Sequence, residues 1–420
     1  MKDYWHSVIL EKDYCNGCTH CLDRCPTQAI RVIDGKARII ESRCIDCGEC
    51  LRVCPFHAKG AQVSTLETLN KYKYKVALPA ISFYGQFGLE HDMNTIYNGL
   101  LQLGFDDVFD LAHAAEILSI YQKKIIQETT ANKPLISTYC PVITRLIQIR
   151  FPSLIDNIIR LESPMEIAAR FIEQKLSDAG MKREDIGIFY ITPCPAKITS
   201  IKNPIGLTHS HIDEAISTEE VYYRLMKFID KIEVKRQIQC ATGKGIGWGR
   251  VGGQSIAMEI EDYIAVDGIE EVIKVLETME LGKLNTLDFF EGYACVNGCV
   301  GGPLNVENTF IGKNRIRKHV KNYDLAKEIN VDMPLKAENM AWDSPIEALP
   351  IFKLDTDFRK ALEKMAQIEE ISQILPGINC GACGAPTCRV LAEDIVNKKA
   401  TIARCVVLQM QQGDKDEPSK

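Results

Sequence analysis

The sequence predicts an α/β protein: a central layered domain, preceded by a small α+β domain and followed by a cysteine-rich one. Three observations predict it. Of the 17 cysteines in 420 residues, eight lie within 15–54, in two equal runs. Four more lie within 380–405. Between these ends, from about residue 75, apolar strand-like segments alternate with amphipathic helical ones, the signature of α/β layers.

Composition narrows the class before any motif is considered. Hydrophobic residues make up 46% and charged residues 25%, as in soluble globular chains, and 420 residues can bury two or three domain cores. The formal net charge is -6, and there is no basic arm or finger spacing, so no nucleic-acid partner is expected. No stretch of 18 uncharged apolar residues occurs, and the start carries no signal core. The expectation is a cytoplasmic protein with no membrane partner. In a reducing compartment disulfides rarely persist, so clustered cysteines there point to metal or redox chemistry.

The first domain is expected over 1–65. Cys15, Cys18, Cys21 and Cys25 precede Pro26, and Cys44, Cys47, Cys50 and Cys54 precede Pro55. Each run reads C-x2-C-x2-C-x3-C-P. This is the pattern of two-cluster bacterial ferredoxins, in which the fourth cysteine of each run ligates the other [4Fe–4S] cluster. The expected sets are Cys15, Cys18, Cys21, Cys54 and Cys44, Cys47, Cys50, Cys25. Zinc also binds thiolates, but two complete runs with both prolines favour iron. Between the runs, the stretch from Ala29 to Glu41 reads as a hairpin turning at Asp34-Gly35. Such a domain relays electrons and has no substrate pocket of its own.

The central domain is expected over 70–370. The stretch Lys75–Phe83 reads as a strand. Asn94–Leu111 reads as helix, glycine turn and strand. Lys133–Ile143 and Asp185–Ile198 read as two further strands, each running into a Cys-Pro. Pro164–Gly180 reads as an amphipathic helix. Ligands in open α/β sheets sit beyond the carboxyl ends of strands, where Cys140 and Cys194 fall. Six glycines between 243 and 253 read either as a flexible turn or as close backbone approach to a cofactor. Lys244 is misplaced for a P-loop. Cys295 and Cys299 stand four apart before Gly301-Gly302. Cys240 reads as a buried core thiol.

These motifs resemble the catalytic domain of [FeFe]-hydrogenases over about residues 1–310. The family's T-S-C-C-P-x-W is matched by Ser137-Thr138-Tyr139-Cys140-Pro141-Val142-Ile143. Its M-P-C-x-x-K is matched by Thr192-Pro193-Cys194-Pro195-Ala196-Lys197. Its E-x-M-x-C-x3-C-x-x-G-G is matched by Glu291-Gly292-Tyr293-Ala294-Cys295 with Cys299-Val300-Gly301-Gly302. Pro79-Ala80 and Gly252-Gly253 resemble two further family stretches. The resemblance implies a [4Fe–4S] cube on Cys140, Cys194, Cys295 and Cys299. It also implies a two-iron subcluster bridged through Cys299 and carrying CO, cyanide and a bridging azadithiolate. Lys197 would hydrogen-bond a cyanide, a charge-assisted contact of the kind that tunes metal potential. Pro79, Ala80, Thr192, Pro193, Tyr293, Gly252 and Gly253 would surround the cofactor.

The departures from the family shape the functional expectation. Its terminal proton donor, a cysteine, is replaced by Tyr139, and two flanking methionines by Thr192 and Tyr293. The outer relay positions fall at Ile159, Tyr121 and Lys124, where no serine or glutamate stands. Glu116, Glu162, Glu259 and Glu291 are the candidate substitutes, with Glu291 preferred because it keeps its motif place. The candidate catalytic residues are therefore Lys197, Tyr139 and Glu291. This pattern is similar to the divergent sensory members of the family, so a slow centre interacting reversibly with hydrogen is expected.

The last domain is expected over 371–410, with 411–420 as a disordered tail. Cys380, Cys383, Cys388 and Cys405, spaced C-x2-C-x4-C-x16-C, resemble the small [4Fe–4S] domain of corrinoid and electron-transport proteins; zinc is the alternative. The whole chain is thus expected to carry four [4Fe–4S] clusters plus the two-iron unit. Its expected partners are hydrogen and protons, the hydrogenase maturation proteins, and a ferredoxin or downstream signalling protein. The other readings are a ferredoxin-linked housekeeping hydrogenase and a non-catalytic electron-transfer or cluster scaffold.

Overall fold

The computed structural model describes residues 5–323, 333 and 340–413. The first domain contains four short strands: β1 (Val8–Leu10), β2 (Ile30–Ile33), β3 (Lys36–Ile39) and β4 (Lys59–Ala61). β1 pairs antiparallel with β4, and β2 with β3. The β2–β3 turn is made by Asp34 (φ 53°) and Gly35 (φ 69°), the doubly left-handed turn that matches strand twist. The two cysteine runs repeat one backbone course. Positive φ recurs two residues after the first cysteine (Gly17, Asp46), four after it (Thr19, Gly48), and three after the last (Gln28, His57). These left-handed turns curl each run around a common centre and turn backbone amides inward.

The central domain is built on two parallel sheets. β5 (Tyr74–Pro79), β6 (Asp107–Val108), β8 (Ile186–Thr192) and β9 (Glu214–Ser217) form the first, in the order β6-β5-β8-β9, while β7 (Leu135–Ile136), β10 (Tyr263–Asp267) and β11 (Phe289–Tyr293) form the second, in the order β10-β11-β7. β8 is buried along its whole length, as a parallel strand covered on both faces must be, which explains its unbroken apolar run. The expected strand over Lys75–Phe83 stops at Pro79, because residues Ile81–Gly85 tighten into a 3-10 turn. Helix Pro164–Asp178 forms as expected and ends just before Gly180 (φ 86°).

Two large cores correspond to the two sheets. Ile45 and Cys47 of the first domain pack into the second of them and Trp5, Leu51, Ala61 and Val63 against the first, so the cysteine-rich domain rests on both. A separate core holds the C-terminal domain. It draws on Ile368 of helix Phe358–Ile374 as well as Val390, Leu391 and Ala392 of helix Cys388–Val396. Helix Phe358–Ile374, which precedes and crosses residue 371, thus packs with the C-terminal core. The expected tail is helical at its beginning, since Val406–Gly413 is a helix, and its remainder, 414–420, lies outside the described residues. Cys240 is exposed, correcting the expectation of a core thiol. The irregular segment 231–240 that carries it is mostly exposed. Among the described residues no helix is long and apolar enough to cross a membrane.

Candidate metal centres

In the first domain the cysteines gather in two groups. Cys15, Cys18, Cys21 and Cys54 line one cavity. Cys25, Cys44, Cys47 and Cys50 line another. Each group takes its fourth thiol from the other run. Equivalent backbone amides serve the two exchanged sulfurs: Ala29 N donates to Cys25 Sγ at 3.2 Å, and Ala58 N to Cys54 Sγ at 3.3 Å. Burial, moderated by the Lys59 ammonium, pushes Cys21 up to about 11 and Cys50 up to about 12. Thiols packed this closely ionise only against a compensating cation, which fits an iron–sulfur cube. Lys59 supports that fit. It is buried at 6% exposure, its Nζ has no hydrogen-bond partner among the described residues, and it faces both groups. Nothing in the sequence marks Lys59; only the fold of β4 turns it between the two sets. His6, Cys44 and Asp46 also offer ligand atoms within 4.8 Å of one another, at the edge of the second set.

The central cysteines converge from the carboxyl ends of three strands. Cys140 follows β7 and caps helix Pro141–Arg150. Cys194 follows β8 and caps helix Pro195–Lys202. In both, proline takes the first helical position, where its missing N–H costs nothing. Cys295 lies two residues beyond β11, and Cys299 opens the turn Cys299–Gly301. The Cys194 and Cys299 loops are tied by Leu304 N donating to Pro193 O at 2.9 Å. Thr192 Oγ1 accepts from Cys194 N at 3.3 Å and shapes the turn that holds this thiol. Ala80, just past β5 and Pro79, donates its N–H to Ile191 O at 3.0 Å, placing this pair beside the same turn. Burial and the neighbouring thiols push Cys140 up, Cys194 up to about 12 and Cys299 well above the usual thiol range. The chemistry is that of the first domain: four close thiols fit a cube.

Lys197 is buried at 4% exposure and faces Cys299, Cys194, Cys140 and Glu166. Burial lowers its pKa, opposed by those thiols. Its Nζ lies 4.8 Å from the centre of the Tyr139 ring. That ring packs edge-on against Trp248 at 5.2 Å and Tyr293 at 6.1 Å, so three buried aromatics wall the Cys299 side. Burial and the charge of nearby Cys299 hold the Tyr139 phenol well above its ordinary value. Gln254, which the sequence analysis missed, accepts from Ser137 Oγ at 2.7 Å and donates to Tyr293 Oη at 2.9 Å, bridging the first and third motifs. Its position directly after Gly252-Gly253 was the available signal. Those glycines answer the earlier ambiguity: a Cβ at Gly253 would lie 1.8 Å from Gly247 O, so the close approach is backbone to backbone.

The candidate relay carboxylates are dispersed. Glu291 is fully buried, and its oxygens accept from Gln254 N, Ser255 N and Ser255 Oγ at 3.3, 3.0 and 2.6 Å. It braces the Gly252-Gly253 turn. Glu116 accepts from Thr242 N and Oγ1 at 2.8 and 2.7 Å and meets His113 at 2.8 Å. Glu259 is on the surface, where Lys123 and Lys244 hold its carboxyl down to about 2, too acidic to carry a proton at neutral pH. Ile159 is buried, while Lys124 is exposed beside Glu128 at 3.8 Å. Glu162 alone of the four shares a cavity with Lys197. That cavity, of about 50 Å³, is also lined by Thr138, Thr144, Glu166 and Ser200, which leaves room for a few waters. Burial, opposed by Arg170, raises Glu162 to about 7.

In the C-terminal domain Cys383 faces Cys380 and Cys405. Cys388 opens helix Cys388–Val396, and its N–H bonds Asn379 Oδ1 at 2.8 Å. Positive φ at Asn379, Gly381 and Gly384 curls this loop as in the first domain.

Comparison with known proteins agrees with this architecture. A family described as the iron only hydrogenase large subunit, C-terminal domain, matches residues 73–262 and 255–303, more than half of the chain. The chain belongs to the iron-only hydrogenase large-subunit family. A 4Fe-4S dicluster domain matches 7–55, and a small Fe-S cluster family matches 375–407. The NADP-reducing hydrogenase subunit HndD of Solidesulfovibrio fructosivorans is 23% identical over 382 residues, with 72% of this chain covering 65% of that protein. Iron hydrogenase 1 of Clostridium pasteurianum is 24% identical over 278 residues, with 52% of this chain covering 48% of it. The chain thus spans about two thirds and about half of these relatives. A point variant of [FeFe]-hydrogenase HydA1 from Chlamydomonas reinhardtii aligns with TM-score 0.54 at 15% identity, covering 69% of this chain and all of that one. HydA(deltaEFG), solved in a study of stepwise H-cluster assembly, aligns with TM-score 0.51 at 15% identity, covering 67% of this chain and 98% of that one. At these identities the shared property is the hydrogenase fold.

Proposed function

We propose that this protein is a slow [FeFe]-hydrogenase-type enzyme that equilibrates with hydrogen and reports hydrogen or redox status to a partner. Cys140, Cys194, Cys295 and Cys299 would hold a cube, with Cys299 bridging to a two-iron unit installed by maturation proteins. When bound, that group supplies the redox chemistry interconverting hydrogen with protons and electrons. Lys197 would donate to its anionic cyanide from a site where a buried ammonium needs an anionic partner. Tyr139 would stand where the proton is handed over, and the two terminal domains would carry electrons on three further cubes. The units would be 1–65, 70–370 and 371–410, with helix Phe358–Ile374 packed on the last of them.

The observation that carries this reading is the Tyr139 side chain. Its phenol is buried against Trp248 and Tyr293, under Lys197, and close enough to Cys299 to feel its charge. A group held far above neutral pKa transfers protons poorly at pH 7, so exchange is slow although every cube ligand is present. A slow site still settles at the potential set by the gas, which suits reporting better than flux.

The same observation favours a second reading, a scaffold that never receives the two-iron unit, because the buried Tyr139 ring fills the wall beside Cys299. Infrared spectroscopy after loading with a synthetic two-iron precursor separates the two. The expected result is a set of CO and cyanide bands, absent in Cys299→Ala. An intact cube with no such bands selects the scaffold.

A further inference from the structure

We propose that the C-terminal four-cysteine set is the outer terminal of a single electron path, which enters the first domain through its Cys15/Cys18/Cys21/Cys54 set. This rests on reading the cysteine sets as clusters, as above, and not on any activity at the central site.

The path is drawn by how the C-terminal loop docks. Val32 N donates to Gly384 O at 2.9 Å, joining strand β2 to the residue after Cys383. A Cβ at Gly384 would lie 1.9 Å from Val32 O, and its φ is +81°, so only glycine allows this contact. Gly381, next to Cys380, sits against Thr19, Leu22 and Asp23, the turn that carries Cys18 and Cys21. Val32 itself lines the cavity of the Cys15/Cys18/Cys21/Cys54 set.

The dock is pinned by charge in a way a loose linker domain would not need. Arg31 makes a two-pronged pair with Asp394, Nε to Oδ2 at 2.5 Å and Nη2 to Oδ1 at 3.2 Å. Both side chains are nearly buried, at 6% and 11% exposure. Arg43 pairs with Glu393, and Arg404 donates to Val32 O at 3.2 Å. A buried bidentate pair fixes geometry more than it adds stability. Fixed geometry is what electron transfer between clusters requires, because its rate falls steeply with distance.

The inner end is joined just as firmly. Arg52, beside Cys50, donates to Cys295 Sγ at 3.0 Å and to Gly301 O at 2.7 Å. Ser7 Oγ donates to Pro195 O at 2.8 Å, and Ser7 N and Val8 N donate to Asp46 at 3.1 and 3.2 Å. The Cys25/Cys44/Cys47/Cys50 set therefore abuts the central site and the Cys15/Cys18/Cys21/Cys54 set abuts the C-terminal one. Of the sixteen cysteines in the four sets, only Cys380 is exposed, so the outermost set is also the one an external carrier protein can approach.

The test uses the full-length reconstituted protein. Fully reduced parent should show electron paramagnetic resonance signals of the C-terminal cluster broadened and fast-relaxing through coupling to its neighbour. In Arg31→Ala, with iron content unchanged, that coupling should weaken. Stopped-flow reduction by a reduced two-cluster ferredoxin should slow at least tenfold in the Cys380→Ala/Cys383→Ala variant, while reduction by dithionite keeps the parent rate. A C-terminal signal without coupling in the parent overturns the proposal, as does equal ferredoxin-driven reduction with and without that cluster. A parent that ferredoxin does not reduce overturns it too. Iron and sulfide analysis showing no C-terminal cluster at all overturns the cluster reading on which it rests, and is distinguishable from the other failures.

Discussion

Replacing Tyr139 tests the proposed cause of slow turnover, because the side chain both supplies a poor proton donor and fills the wall beside Cys299. Reference pKa values near 8.5 for cysteine and 10 for tyrosine differ by about 1.5 units, or about 2 kcal/mol, a factor of about 30 in a proton-transfer step. Burial and the Cys299 charge raise either side chain at this position, so about 30-fold is the difference that the reference values carry. Tyr139→Cys should therefore speed hydrogen evolution, by between a few-fold and about 30-fold, since buried Ile159 still interrupts the outer route. The ring, at 3% exposure, also packs on Trp248 and Tyr293 and under Lys197, so truncation should cost about 3 kcal/mol of stability. Tyr139→Phe keeps the ring and removes the hydroxyl; it should lower the rate at least tenfold at nearly unchanged stability. The assay is hydrogen evolution from matured protein with a strong reductant, with thermal unfolding and infrared bands recorded alongside. The decisive variant adds Ile159→Ser, Tyr121→Glu and Lys124→Glu to Tyr139→Cys. If it carries the full set of infrared bands yet evolves hydrogen no faster than the parent, and Tyr139→Phe matches the parent, proton delivery through this position is not what limits the protein.

Three further outcomes are expected. Lys59→Met removes a buried positive charge that faces Cys21 and Cys50, so both first-domain clusters should fall in reduction potential, by on the order of 50 mV in a spectroelectrochemical titration; unchanged potentials would place the ammonium away from the clusters. Glu162, raised from 4.5 to about 7 by burial, binds more protons folded than unfolded, so its contribution is fully present below about pH 4.5 and is lost as pH rises through 7. Glu162→Gln should remove up to about 3 kcal/mol of that decline, read as a flatter melting temperature between pH 4.5 and 8, and an identical slope would refute the assignment. Glu291→Ala strands three buried donors and should cost about 3 kcal/mol of stability, whereas Glu291→Gln should leave turnover within about threefold; a collapse of turnover in the glutamine variant, at parental stability, would restore Glu291 as a proton carrier.

The sequence by itself determined the local chemistry. Tight cysteine spacing, a following proline, and strands running into Cys-Pro are short-range constraints, so they are readable along the chain. The cysteine runs and the hairpin at Asp34-Gly35 follow from them, as does the α/β class; the stretches expected as strands through Pro141 and Pro195 instead end at Ile136 and Thr192, and each proline opens a helix. What the sequence could not rank was the set of buried carboxylates, because a glutamate that braces a turn and one that faces a wet cavity look alike until their partners are known. Only the tertiary structure committed Glu291 to Ser255, exposed Glu259 to two lysines, and opened a cavity between Glu162 and Lys197. The same holds for Lys59, Arg52 and Arg31. Each is an ordinary basic residue in sequence, and each gains its meaning from a partner brought near by folding. For Arg31 that partner is 363 residues away, a separation at which no local pattern can signal a contact.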